Sequence, residues 1–314
     1  MNTTRMLAMT ATLALGAVIT SGTVPAQTTA SGQSGAASVS DEEMKMMALN
    51  GLRQADAAVA VPQIEKLLAG NSSIELKKKA ISILGQEDTA HAREVLVRFA
   101  RGESNTSLQS EAIRQLGIMG GDDARKALAD LYASSTDTGV KRMILRAFMI
   151  AGDQGRLLAA AKDEKNTDLR GEAARQLGMM SASDALLQLY KTESSDEVKA
   201  QILRGLGMSG NAEAIGQIAQ NDSSATMRQA AIRAMEMTDG GGPEAILTKL
   251  YGTEKDSNVR KEILRAFSNR QNAKALIAVA KMETDPELKR YAVRQLSLMN
   301  SKEATDYLVE ILNK

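Results

Sequence analysis

The side chains best equipped for chemistry in this chain are arginines that recur in one register: Arg114, Arg146, Arg175, Arg204, Arg233, Arg265 and Arg294. A guanidinium presents its donors as a rigid fork that matches carboxylate or phosphate. The chemistry they offer is therefore anion pairing rather than bond-making. Covalent catalysis has little to work with. His91 is the single histidine and cysteine is absent, which removes a His-rich metal site, a Ser-His-Asp triad and a thiol nucleophile. Gly240, Gly241 and Gly242 lack the Lys and Ser/Thr of a phosphate loop and read as a connection. Carboxylates are too numerous, at 38 Asp and Glu, for any pair to stand out. The expectation is a protein that is not an enzyme and uses no metal or cofactor.

The elements that must carry the arginines are visible as repeats. LYASSTDTGVKRMILRAF (Leu131–Phe148) returns as LYKTESSDEVKAQILRGL (Leu189–Leu206) and LYGTEKDSNVRKEILRAF (Leu250–Phe267). The unit is half that period. An apolar anchor, Ala or Ile four residues on, usually an aliphatic at +5 and a large apolar residue at +8 fit at Met44, Leu76, Leu108, Val140, Leu169, Val198, Met227, Val259 and Leu288, spaced by 29 or 32 residues. At roughly 100° per residue these positions form one apolar stripe, the mark of a helix packed on one side. Each such second helix alternates with a shorter Ala- and Leu-rich run, such as Asp123–Tyr132 or Asn272–Ala280. Turns of Ser, Thr, Asp and Asn precede most anchors and supply N-caps; Asp285 before Pro286 is the clearest. Gly85, Gly117, Gly178 and Gly207 follow the +8 residue and are expected to end their helices. Eight hairpins, capped by a lone second helix at Ser40–Leu52 and a lone first helix at Ser301–Lys314, is the simplest parse. A unit this small cannot bury its own apolar face, so neighbours must stack into an all-α solenoid.

The pattern V-[KR]-x-x-A/I-x-x-x-L, as in Val198-Lys199 through Leu206, with the Ala-rich helix after it, resembles a HEAT repeat of the short bacterial, phycobilisome-lyase-like type over roughly residues 41–314. The resemblance implies a right-handed superhelix whose second helices line the concave face, and an interaction scaffold rather than a given reaction. Enzymes of this fold that bind iron use paired His-Glu motifs, which one histidine cannot supply. Bilin-lyase activity, found in some similar repeats, would need a chromophore pocket, for which three Phe, five Tyr and no Trp offer little. His91 is expected to be an exposed first-helix residue, and Tyr132, Tyr190 and Tyr251 to pack between repeats.

The N-terminus reads separately. Arg5, the apolar run Met6–Thr20 and the small residues Val24-Pro25-Ala26 form a secretory signal peptide over residues 1–26, followed by a disordered linker at 27–40 and the solenoid at 41–314. Export to a bacterial periplasm or beyond is expected, with no later membrane span; the lack of cysteine excludes a lipid anchor. The net charge of +1 gives no field to attract nucleic acid.

Two ladders then define the surface. Position +1 is Lys or Arg in eight copies, from Lys45 to Lys289, and its stem should cover apolar surface while its head bonds to a neighbouring turn. The +6 arginines point away from the apolar stripe and would form a row about 60 Å long, given helices about 10 Å apart. Two readings remain. Glu111, Glu172 and Glu262 stand three residues before Arg114, Arg175 and Arg265, as an internal ion-pair ladder requires. Alternatively the row binds an acidic or extended protein segment, or an anionic cell-envelope polymer. Ile118, Ile150, Met179, Met208, Met237 and Leu298 at +10 either extend that groove or, if glycine ends the helix first, turn under as packing.

Overall fold

A computed structural model describes residues 34–102, 105–238 and 242–313, so the expected signal peptide lies outside the described residues. The described chain is an unbroken succession of helices. A leading helix, α1 (Ser34–Leu52), is followed by eight hairpins. These are α2 (Ala57–Ala69) with α3 (Ile74–Leu84), α4 (Ala90–Ala100) with α5 (Thr106–Met119), α6 (Gly121–Ser134) with α7 (Thr138–Ile150), and α8 (Gln154–Asp163) with α9 (Thr167–Met179). Then come α10 (Ser183–Thr192) with α11 (Asp196–Met208), α12 (Ala212–Asn221) with α13 (Ala225–Met235), α14 (Gly242–Thr253) with α15 (Ser257–Asn269), and α16 (Ala273–Met282) with α17 (Pro286–Ser297). A final first helix, α18 (Lys302–Leu312), closes the stack. Helix α1 begins inside the segment expected as a linker, because SGAAS holds no proline, includes two alanines and runs straight into the predicted capping helix.

Local chemistry sets the boundaries. Asp285 accepts from the backbone N–H of Glu287 and Leu288, with Pro286 opening α17. Asp137 and Asp256 cap α7 and α15 in the same way, and Asn166, Ser195 and Ser224 cap α9, α11 and α13. The anchor stripe is buried as expected: Leu169, Ala173, Ala174 and Leu177 are sealed in α9, and their equivalents in α11 likewise. These side chains belong to one apolar core that runs without a break from Leu49 to Tyr307. The first copy differs. Met44 is 59% exposed and Leu49 is buried instead, since a terminal helix has no preceding layer to cover its anchor.

Three of the four glycines expected to end helices do not. Gly117, Gly178 and Gly207 lie inside α5, α9 and α11, and only Gly85 is a C-cap, with ordinary right-handed φ. What these positions need is the absence of a side chain. A Cβ on Gly178 would stand 2.5 Å from the Gly205 Cα; on Gly207, 2.5 Å from the Ala234 carbonyl oxygen; on Gly117, 2.8 Å from that of Ala147. Successive second helices thus touch backbone to backbone. First helices meet through longer side chains, as where Gly216 faces the Ile246 side chain. A stack in which one layer is drawn closer than the other curves toward the closer layer. The second helices form the inner face.

Candidate functional site

The inner face carries two parallel columns. The first is the arginine row, with side chains 41–55% exposed at Arg114, Arg146, Arg175, Arg233 and Arg265. Much of it is paired. Glu111 holds Arg114 through two bonds of 3.0 and 2.6 Å. Glu172, nearly buried, accepts from Arg146 at 3.3 Å, from the Arg175 guanidinium and from Gln176 at 2.9 Å. Glu262 binds Arg265 and lies 3.4 Å from Arg233, and Glu236 lies 4.0 Å from Arg265. These five arginines are therefore ion-paired to carboxylates of their own or an adjacent second helix. Half-exposed pairs of this kind add about 0–1 kcal/mol each, so they hold the arginines in place more than they stabilise the fold.

Two members stand outside the ladder. Among the described residues Arg204 and Arg294 have no carboxylate within ion-pair distance, and Arg204 reaches only the Gln201 amide oxygen at 3.5 Å. Arg204 borders a polar cleft of about 490 Å³ between α7, α9 and α11, which also gathers Arg142, Arg146, Arg175 and Glu172. Position +2 of the α7 repeat, Arg142, was not singled out by the sequence pattern because +2 varies between repeats and only Arg142 and Arg290 are arginines there.

The second column is apolar. Ile118, Ile150, Met179, Met208, Met237 and Leu298 are 38–71% exposed, and none turns under. The reason is that α5, α9 and α11 continue through their +9 glycines and α7 through Met149, so the +10 residue stays on the helix one turn beyond its arginine. Met237 and Leu298 sit just past the ends of α13 and α17 and remain exposed as well. Each arginine is followed at i+4 by a large exposed apolar side chain, except Arg265, which is followed by Asn269. Isolated exposed apolar residues need no explanation, but a regular file of them does.

Four members of the +1 ladder bond to a neighbouring turn as expected. Lys141 bonds to Glu164 at 2.9 Å, Arg170 to Glu193 at 2.9 Å, Arg228 to Glu254 at 2.8 Å and Arg260 to Glu283 at 2.6 Å, each across to the next hairpin's turn. Tyrosines reach such turns too: Tyr132 donates to Glu164 at 2.8 Å and Tyr251 to Glu283, while Tyr190 donates to Asp222 in the α12–α13 turn at 2.8 Å. Each turn acid also accepts from the N–H groups of its own turn, as Glu283 does from Thr284 and Asp285. Burial pushes the carboxyl of Glu283 upward, but the Tyr251 hydroxyl, the turn N–H groups and Arg260 outweigh it and hold the pKa below the usual range. Glu164, Glu193 and Glu254 are lowered by the same contest, and burial with an acid partner raises Tyr132, Tyr190 and Tyr251. These acids were missed in the sequence. The signal was there, since Glu164, Glu193, Asp222, Glu254 and Glu283 all stand five residues before an anchor.

His91 is exposed and lies 3.1 Å from Glu65. Among the described residues no cluster of three or more His, Asp or Glu could hold a metal ion. No described helix is long and apolar enough to cross a membrane.

A family model described as HEAT repeats matches residues 61–149 and 155–236, more than half of the chain. No curated protein matches it. Among solved structures, the complex of CpcE and CpcF of phycocyanin lyase from Nostoc sp. PCC7120 is similar at 21% identity and a TM-score of 0.35, covering 69% of this chain and 92% of that one. A computationally designed self-assembling cyclic homo-oligomer is similar at 15% identity and a TM-score of 0.15, covering 87% of this chain and 99% of the design.

Proposed function

This chain belongs to the HEAT-repeat family, and from that premise we propose that it is an exported, non-enzymatic scaffold that holds a protein segment bearing both acidic and apolar residues along its inner face. Stacked repeats of this kind generally present extended concave surfaces to protein partners. The observation that carries the finer reading is the file of exposed +10 side chains from Ile118 to Leu298, one turn from the arginines. A surface kept only for solubility would not repeat a large apolar side chain in six of its repeats. Methionine suits the task because its unbranched, polarisable thioether adapts to varied partners. The carboxylates that pair five arginines keep them extended and oriented, and Arg142 and Arg204 offer charge that is not already satisfied.

The reading is tested with two sets of substitutions, Arg175→Glu/Arg204→Glu/Arg233→Glu and Met179→Ser/Met208→Ser/Met237→Ser, in capture from periplasmic extract. Both sets should lower recovery of the same protein by about tenfold or more, as loss of central contacts does. Capture unchanged by the Met→Ser set, with loss only on charge reversal or added salt, would point instead to an anionic polymer. Export itself predicts a mature chain that starts at Gln27 by intact mass; a chain that keeps residues 1–26 in the cell would contradict it.

A further inference from the structure

Nine residues before its anchor, each hairpin other than α8–α9 carries a large apolar side chain, among them Phe99, Leu131, Leu189, Ile218 and Leu250. In the α8–α9 hairpin this position is Ala160. Eleven residues before the anchor the repeats vary, from Glu65 to Gly216, and where the next two repeats have Leu158 and Leu187 helix α6 has the small Ala129. Both small residues border one cleft of about 510 Å³ on the side of the first helices, walled by α6 and α8. The rings of Tyr132 and Phe148 lie in it with centroids 6.1 Å apart and planes tilted by 47°. The volume falls in the range of sites for small organic ligands, whose walls are mostly apolar and aromatic. This cleft is far from the arginine file in character and does not depend on it.

The charges at the rim select the occupant. Lys141 is held by Glu164 and also lies 4.8 Å above the Tyr132 ring; Arg156 is held by Asp153; Lys165 stands beside Asp163 in sequence. The lining itself has three cations and two carboxylates, Asp163 and Glu164, and Asp153 just outside it, which holds Arg156, brings the local charge to balance, so little net field favours an ion of either sign. We propose that the cleft between α6 and α8 is a binding site for an uncharged, ring-containing apolar molecule, which fills the space that a leucine at position 160 would take.

N-phenyl-1-naphthylamine, a neutral probe that fluoresces in apolar surroundings, tests this on the full chain. It should bind saturably, and Ala160→Leu should weaken it by about tenfold or more, because the restored side chain occupies the site. Ala129→Leu, on the facing wall, should do the same and provides the reading if Ala160→Leu does not fold. The Met179→Ser/Met208→Ser/Met237→Ser variant should bind the probe as the parent does, which separates this site from the inner face. Absence of saturable binding, binding indifferent to both leucine substitutions, or binding lost with the methionines would each overturn the proposal.

Discussion

At the scale of single residues, the glycines at +9 decide most about the inner face. Their requirement is spatial: a neighbouring backbone occupies the place of the Cβ. Gly178→Ala must push α9 from α11 and should cost about 1–3 kcal/mol, as overpacking does. Gly51→Ala in α1 meets nothing within 4 Å and should be neutral or slightly stabilising. Urea denaturation of the two variants checks this pair, and equal stabilities would mean that the helices are not in contact there. The sequence alone marked these glycines as special but suggested the wrong cause. A glycine after the last apolar residue has two common uses, a helix exit or a close approach, and only the position of the next repeat tells them apart. The fate of Met179 and Met208 hung on that choice.

At the scale of the element, the hairpins were legible and the clamp between them was only half so. The anchor stripe, the N-caps at Asp137, Asp256 and Asp285 and the outward stems of Lys141 and Arg170 follow from periodicity and side-chain chemistry. The acceptors did not, because one acid among 38 looks uninformative until its register is compared across repeats. Each clamp joins a basic residue on one hairpin to an acid in the turn of the next; in the Tyr132 and Tyr251 units the hydroxyl adds a second bond, and in the Tyr190 unit the hydroxyl alone reaches Asp222 while Lys199 lies 5.3 Å over the ring. The acids make stability depend on pH. Glu164, Glu193, Glu254 and Glu283 have folded pKa values below the unfolded value of 4.5, so their contribution is complete above that pH and is lost as pH falls through the folded values. The unfolding midpoint should thus be flat between about pH 6 and 8 and decline below about 4.5. Glu283→Gln should cost about 2 kcal/mol at neutral pH, the size of a charge-assisted hydrogen bond, and make the acid decline shallower. An acid decline of the same slope in the variant would remove the clamp from the account.

At the scale of the whole molecule, curvature and recognition share one origin. Backbone contact between second helices draws that layer together, and the same helices present the arginine file and, one turn on, the apolar file. The resemblance of the repeat to the HEAT pattern was enough for the architecture, and the family match agrees. The surface was less legible, since whether a +10 side chain turns under or stays exposed depends on where the helix ends. The partner should therefore touch α9, α11 and α13 along the inner face and leave the outer helices free. Met208, 38% exposed on α11, and Met282, 77% exposed at the end of first helix α16, make a matched pair. Replacing each in turn by a photocrosslinking amino acid, in the full chain expressed in its own cells, gives the most direct measurement. A discrete crosslinked partner is expected from position 208 and none from position 282. The same partner from both positions, or from 282 alone, would contradict it.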